Sequence, residues 1–436
     1  MMTNVRLRIG VYTASSIAIA NMVGTGVFTS LGFQVVEIQS VFSLLMLWVV
    51  GGLIALCGAL SYGELGTALP RSGGEYHLLT AIYHPAIGFL SGWVSATAGF
   101  VAPTAIAAIA LGKYTAVVFP GTPVEHLAAA VVVGFALIHA LSIRWGSFFQ
   151  NFFTLIKVGV IGIFLLFGFT TDAPQPITWL PRPGDWAPLF SPAFAVSLVY
   201  VSYAYTGWNA SVYIVGELQN PQRNLPRALF LSTLLVMGLY TLLNYVFLYT
   251  VPMGELAGKV EIGFLAGSKL FGPRAANALS LMIAALMLST VSAMIFVGAR
   301  ITQVMGEDYP ILHKLSLRSR QHTPVNALIF QTIVTLLFIY TSSFEQVIVY
   351  AAFTLMLLTT LTVAGVYVLR WRQPLLPRPY KTWGYPITPA IFLLANVWIM
   401  GYVLLERPLE SFIGLGIIGT GALVYFLNAR WAPASR

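Results

Sequence analysis

Charge is what this chain has least of: 8% of its 436 residues are Asp, Glu, Lys or Arg, while 58% are hydrophobic. A water-soluble chain of this length carries roughly a quarter of its residues as charges. The deficit excludes an ordinary soluble fold and points to lipid as the surrounding solvent. Cysteine is almost missing too. Cys57, in an apolar run, is alone, so an intrachain disulfide is excluded and the redox compartment is left unmarked. Long hydrophilic stretches are also lacking; the longest gaps between apolar runs lie near 171–189, 252–272 and 305–323. None could house a separate catalytic domain. There is no P-loop, no Gly-x-Ser-x-Gly and no His-Glu-x-x-His. The scattered histidines, His77 and His84 among them, supply neither a nucleophile–base set nor metal-ligand spacing. The chain therefore reads as no enzyme, with no cofactor and no metal site. The net charge of +9 does not indicate nucleic acid, because the cations sit in short gaps rather than along one face.

What is present is a series of apolar runs, each about the 20 residues that a helix needs to cross a bilayer. They fall near 9–32, 41–69, 85–111, 124–143, 148–170, 190–216, 226–251, 273–304, 324–340, 345–370, 386–405 and 410–429. They are too long for barrel strands and lack dyad alternation, so the expected fold is all-α: a polytopic membrane protein of about twelve helices. Arg6 and Arg8 precede the first run as in a secretory signal, but no small-residue cleavage site follows, and the run reads as an uncleaved first span. With the N-terminus inside, 16 of the 23 Lys and Arg lie in inner gaps, Arg71, Arg144, Arg300, Arg318 and Arg320 among them, and six in outer gaps. That bias places both termini in the cytoplasm.

Two runs carry interruptions at mid-depth. The first holds Asn21-Met22-Val23-Gly24-Thr25-Gly26-Val27-Phe28, and the sixth holds Tyr203-Ala204-Tyr205-Thr206-Gly207-Trp208-Asn209-Ala210. A glycine weakens a helix by roughly 1 kcal/mol relative to alanine, and small residues often serve only as packing contacts between membrane helices. Here the interruptions fall in spans one and six, corresponding positions of two five-span units, which is the pointer to an inverted-repeat transporter. The units would cover 9–170 and 190–370, with 386–430 as two additional helices of one membrane domain. Broken helices expose N–H groups from one half and carbonyls from the other, enough to hold a carboxylate and an ammonium.

Lys157 is the third signal. It stands 8–9 residues into the fifth run, roughly 12–14 Å deep at 1.5 Å per residue. A lysine near mid-membrane costs about 3 kcal/mol on insertion scales. It either snorkels to the inner interface or meets carbonyls at a broken helix and hydroxyls such as Ser289, Thr290 or Ser292. No Asp or Glu stands well inside a span, and Thr25, Thr206 and Asn209 are neutral, so a neutral substrate is expected. Glu217, ahead of Asn220-Pro221 and Pro226-Arg227, belongs to a Pro-terminated loop or to an inner gate. Ser72-Gly73-Gly74-Glu75-Tyr76 after Pro70 starts a short interfacial helix.

Gly24-Thr25-Gly26-Val27-Phe28 resembles the Gly-Ser-Gly-Ile-Phe motif of the amino acid–polyamine–organocation (APC) superfamily, and Pro70 to Tyr76 resembles its first inner loop. Tyr203 to Asn209, followed by Glu217 and Asn220 through Pro226, is similar to the L-type amino acid transporters (LAT). The resemblance implies a LeuT-type fold of five-plus-five inverted repeats with spans one and six unwound, and sodium-independent transport. By position it puts Thr25 and Gly26 on the substrate carboxylate and the carbonyls of Met22, Tyr203 and Thr206 on the amine. Tyr203 takes the place of an aromatic gate, where phenylalanine or tryptophan is more usual, and Lys157 stands near a sodium position, against Gly24 and Ser289. Thr25 replaces a serine. The eukaryotic members pair with a glycoprotein through an outer-loop cysteine that has no counterpart here, so no such disulfide-linked heavy chain is expected and a bacterial-type inner-membrane protein is favoured. The expected function is alternating-access transport of neutral L-amino acids, by exchange or by proton symport. Cationic amino-acid or polyamine transport is the nearest alternative, and an amino-acid-sensing receptor the alternative of another class.

Overall fold

The computed structural model describes residues 9–141, 146–319 and 323–431, without the side chains of 146–155 and 429–431. Of the basic residues used for orientation, Arg6, Arg8, Arg144, Arg320 and Arg436 lie outside the described residues. The described chain is helical, with one isolated backbone pairing, Ile9 beside Leu218. In order the helices are α1 (Val11–Met22), α2 (Gly26–Thr29), α3 (Leu31–Glu37), α4 (Val41–Ala68), α5 (Gly74–Ile82), α6 (Pro85–Val94) and α7 (Val101–Ala116). Then come α8 (Val124–Leu141), α9 (Gly146–Phe167), α10 (Pro192–Tyr205), α11 (Pro221–Thr250), α12 (Met253–Leu256) and α13 (Ile262–Asp308). The last are α14 (His313–Ser316), α15 (Val325–Thr341), α16 (Phe344–Arg372), α17 (Ile387–Glu406) and α18 (Pro408–Trp431).

Among the described residues, nine helical stretches are long and apolar enough to cross a membrane, and Ile156–Phe167 and Val325–Thr341 are shorter apolar ones. Each of the twelve apolar runs has its helix, and the protein is a polytopic all-α membrane protein. Local chemistry sets the ends. Ser40 caps α4 by accepting from the Ser43 amide, and Ser343 with Gln346 closes a reciprocal capping box on α16. Pro85 and Pro192 open α6 and α10 at the position where a missing N–H costs nothing. For the same reason α11 begins at Pro221, five residues before the apolar run was expected to start, with Pro226 inside its second turn. Gly272, at φ 76°, separates a short lead-in from the membrane part of α13.

Centrally, α1 and α10 are broken where the sequence placed their interruptions. After Met22 the backbone of Val23 leaves helical geometry (ψ 88°), and helix resumes at Gly26. After Tyr205, Thr206 turns extended (ψ 135°) and Gly207 takes φ 103°; the chain then continues as a 3₁₀ turn, Ala210–Glu217. Gly207 is required twice over. Its φ favours glycine, and a Cβ there would stand 2.8 Å from Asn21 Cβ and 2.9 Å from its carbonyl carbon, so the two breaks touch. One residue of α11 serves both: the Tyr240 hydroxyl donates to the Met22 carbonyl (2.6 Å) and contacts the Ala204 carbonyl (3.3 Å). Below, the Ser211 hydroxyl donates to Ala14 O (2.9 Å), and Ile9 exchanges backbone bonds with Glu217 and Gln219 (2.9 Å each).

One buried ion cluster ties α4 to the end of α16. Glu64 accepts from Arg370 (2.7 and 2.8 Å) and from the Thr382 amide (2.7 Å), with Arg378 at 3.5 Å. All its neighbours are donors, so the charge is satisfied in place.

Removing the Tyr240 hydroxyl leaves a carbonyl at a helix break without its donor in a water-poor interior. Tyr240→Phe is expected to destabilise the fold by about 1–3 kcal/mol. Thermal unfolding of the detergent-solubilised protein measures this, and an unchanged midpoint would remove the hydroxyl from the account.

Candidate functional site

Both breaks open onto one cavity of about 330 Å³. From α1 it is lined by Ile17 and Asn21, and from the α10 break by Thr206, Gly207 and Asn209. Opposite stand Ser95, Gly99 and Phe100, where α6 passes into α7 through one turn of π-helix. Such a bulge widens the backbone and is common beside functional sites. Thr359 of α16 and Asn396 of α17 add polar atoms to a largely apolar wall.

Helix direction shows which side is shut. Toward the side away from the termini, Phe33 stacks between Tyr200 and Phe344 (centroids 5.6 and 5.9 Å). Just beyond, Glu345 accepts from the Tyr200 hydroxyl and from Arg407 (2.7 Å). The cavity residues lie on the terminus side of that seal.

The residues singled out from sequence divide into three groups. Thr206 and Asn209 line the cavity. Gly24, Lys157 and Ser289 line a smaller adjoining cavity of about 60 Å³, with Asn21 shared between the two. There the Lys157 ammonium, buried, donates to the Thr290 hydroxyl at 3.0 Å. Met22, Thr25, Gly26 and Tyr203 are buried beside the break and do not line the cavity. Three of the four have a neighbour that accounts for this. The Met22 carbonyl is taken by Tyr240, the Tyr203 carbonyl by the Thr206 amide (3.0 Å), and Gly26 packs so closely on Ala204 that a Cβ would lie 2.6 Å from its Cα. Glu217 takes part through its backbone carbonyl, which accepts from Ile9 (2.9 Å). His84 caps α6, and no group of three or more potential metal ligands occurs among the described residues.

Sequence reasoning missed the charged residue of the cavity. Glu75, from the gap between two spans, folds inward and is the one ionisable carboxyl on the described cavity wall. Gly73 and Gly74, at φ 134° and 56°, make the turn that starts α5, and a Cβ on Gly74 would strike the Tyr213 ring at 2.2 Å. Glu75, Leu78, Leu79 and Ile82 then form the buried face of the helix. This i, i+3, i+4, i+7 spacing was the signal available in the sequence. The Glu75 carboxyl accepts from the Tyr62 hydroxyl (2.7 Å) and from the Asn209 amide (2.8 Å) through one oxygen. Tyr62 is in turn held edge-on by Trp208 (4.7 Å). Burial pushes the Glu75 carboxyl up to about 7, against the two hydrogen bonds that favour its ionised form.

The sign of the linkage follows. A carboxyl raised in the folded state keeps its proton there while the unfolded chain has lost it. The contribution to stability is therefore greatest below about pH 4.5 and declines as pH rises to about 7. Glu75→Gln keeps an acceptor for Tyr62 and Asn209 but cannot ionise. Melting temperatures measured from pH 4.5 to 8 should fall less steeply for the variant than for the parent. Parallel curves would mean that Glu75 does not titrate in this window.

Residues 9–422 match the family model described as amino acid permease. The chain is 30% identical to the human large neutral amino acids transporter small subunit 2, over 97% of this chain and 80% of that one. It is 29% identical to the human b(0,+)-type amino acid transporter 1 (98% and 89% covered) and 27% identical to the mouse Asc-type amino acid transporter 1 (97% and 81%).

Proposed function

The chain belongs to the amino acid permease family, and on that premise we propose that it is a sodium-independent secondary transporter of neutral L-amino acids, working by alternating access and exchange. The observation that carries this reading is the cavity at the paired breaks of α1 and α10, with the Phe33 stack across its side away from the termini. A free amino acid has two backbone charges, and the breaks offer a group for each. The first-turn amides of α2, at Gly26 and Val27, have no partner within the helix and suit a carboxylate. Carbonyls of Met22, Tyr203 and Thr206 suit an ammonium. Each carbonyl oxygen has two lone pairs, so those already engaged keep one to offer. Thr25 and Gly26 reach the substrate in this reading once the break relaxes around it, with Tyr203 as the aromatic side of the gate. Lys157 provides a fixed positive charge between α1 and α13, where a coupling cation would otherwise be needed.

The remaining features fit the same reading. A 330 Å³ cavity suits a small amino acid, and its wall, Glu75 apart, carries no charge. Glu75 is tied to Tyr62 and Asn209, which supports a neutral over a cationic side chain. It also gives proton symport a specific foothold as the second reading. The excess of Lys and Arg in terminus-side gaps supports cytoplasmic termini, which puts the Phe33 stack on the outer side, and the lack of an outer-loop cysteine favours a bacterial-type inner-membrane protein. Two five-helix repeats over 9–170 and 190–370 would account for the matching breaks, with α17 and α18 outside them. The relatives named small subunits are by those names parts of larger assemblies. This chain has no cysteine but Cys57, within α4, and we read it as acting without a disulfide-linked heavy chain.

The test is uptake of a radiolabelled neutral amino-acid mixture into proteoliposomes, with and without internal amino acid, at two external pH values. Uptake that requires internal substrate supports exchange, and uptake into empty vesicles driven by external acid supports symport. No uptake by folded protein under either condition would overturn the proposal. Lys157→Ala should lower uptake at least ten-fold while leaving a folded protein; normal uptake at every pH would remove Lys157 from the coupling.

A further inference from the structure

A second cavity, of about 390 Å³, lies where α8, α13 and α15 meet on the terminus side. It shares none of its lining with the cavity at the breaks. Its central side chain is Arg300, which the sequence reading assigned to a gap. The structure places it within α13, eight residues before the helix ends at Asp308, or roughly 12 Å along the axis. It stands four residues inside the expected end of the apolar run (273–304), near the interface, where a cation set between apolar helices calls for a counter-charge.

Nothing of opposite charge pairs with it. All 14 Asp and Glu lie among the described residues, and none forms an ion pair with Arg300. Its guanidinium lies over the ring of Phe296 (3.3 Å to the centroid) and donates once, to the Phe296 carbonyl at 3.2 Å. Of five N–H donors it uses one, against its own helix. Glu307 also lines the cavity, but it is engaged by Arg318 (2.9 Å) and Gln303 (2.7 Å). His139 is occupied by the Ser292 carbonyl and hydroxyl (3.1 and 3.0 Å).

The surroundings indicate the kind of ligand. Val304, on the rim, is 45% exposed, and Ile138 and Leu141, beside His139 on α8, are 47% and 70% exposed, as apolar surfaces are that face acyl chains. Toward the helix end the rim becomes the exposed Arg318–Glu307 pair. An apolar flank, a polar end and an arginine with spare donors between them match the order of chain, phosphate and headgroup in a phospholipid leaflet. Arginine is also the side chain best shaped to hold a phosphate through two parallel bonds. Basic pockets between membrane helices bind lipid headgroups in this manner.

We propose that the cavity between α8, α13 and α15 binds the phosphate of a phospholipid headgroup, with Arg300 as its charge partner. The headgroup bridges three helices that are otherwise joined there by few polar bonds, His139 to Ser292 and Thr323 to the Ala140 carbonyl (3.0 Å). The proposal does not depend on which amino acid is transported or on how transport is coupled.

The test is native mass spectrometry of the purified full-length protein after stepwise delipidation. Phosphatidylglycerol, phosphatidylethanolamine and inorganic phosphate are added back separately, with thermal shift in the same additions. The parent should retain one phospholipid, and Arg300→Gln should weaken its retention about ten-fold. Glu307→Gln should bind phosphatidylglycerol at least as tightly as the parent, and it serves as a folded control. Stabilisation by inorganic phosphate equal to that by lipid, and lost in Arg300→Gln, would overturn the lipid assignment in favour of a soluble phosphate. Equal lipid retention by parent and Arg300→Gln would overturn the site itself.

Discussion

A peptide carbonyl in a membrane must find a donor within the protein, and this one constraint organises the centre of the structure. Breaking α1 and α10 releases carbonyls at a depth where water is scarce, at several kcal/mol for each left unmatched. Hydroxyls resolve the problem. Tyr240 serves Met22 and Ala204, while Tyr205, at the end of α10, ties the break to the unbroken α4 by donating to the Trp48 carbonyl (2.9 Å). Tyr114 donates to the Phe28 carbonyl (3.0 Å) while accepting from the Gly263 amide (3.1 Å). Each of these bonds runs between helices, so satisfying a broken backbone also fixes how the helices pack. The breaks and α11 thus form one unit, because moving α1 away from α11 would strand the Met22 carbonyl.

The same logic separates the two sides of the cavity. Away from the termini the closure is dense, with a three-ring stack backed by a charged pair and a tyrosine hydroxyl. On the terminus side, α1 is attached to the 3₁₀ segment after α10 by two backbone bonds at Ile9 and one serine hydroxyl. Those bonds join α1 to that segment and do not lie across the cavity. Transport by alternating access needs the two closures to differ by only a few kcal/mol, since a larger gap would leave one state unpopulated. Closing the terminus side must therefore form contacts comparable to the Phe33 stack. The residues placed to do so are those after the α10 break, with Glu75 and Tyr62 beside them.

The spans, the paired breaks and Lys157 were all legible in the sequence, and for related reasons. Apolar length follows from bilayer thickness, glycine clusters weaken helices wherever they fall, and one lysine among apolar residues stands out. Tyr240 was not legible, because a tyrosine in an apolar run looks the same whether its hydroxyl bridges two breaks or faces a headgroup. Glu75 was hidden because hydropathy assigns gap residues to water, and only the buried face it shares with Leu78, Leu79 and Ile82 says otherwise. Arg300 was hidden in the opposite way. It stands four residues inside the end of the eighth run (273–304), and the charge-bias argument counts a cation so near the end of a run with the gap beyond it. Nor does a proline always end a helix, as α11 starting at Pro221 shows.

Charges within the helical core sort by how completely their partners satisfy them. Glu64 has two arginines and an amide, all its neighbours are donors, and nothing about it asks for a further group. Lys157 has a single threonine hydroxyl and shares its small cavity with the loosened backbone at Gly24. A change in the α1 break alters the environment of the ammonium, and by linkage the state of the ammonium biases the break. Arg300 has one carbonyl and a ring, and it lines the cavity between α8, α13 and α15 with donors to spare. A buried pair whose bonds are complete holds structure in place. A charge with bonds to spare is where a protein of this kind can respond to something outside its own chain.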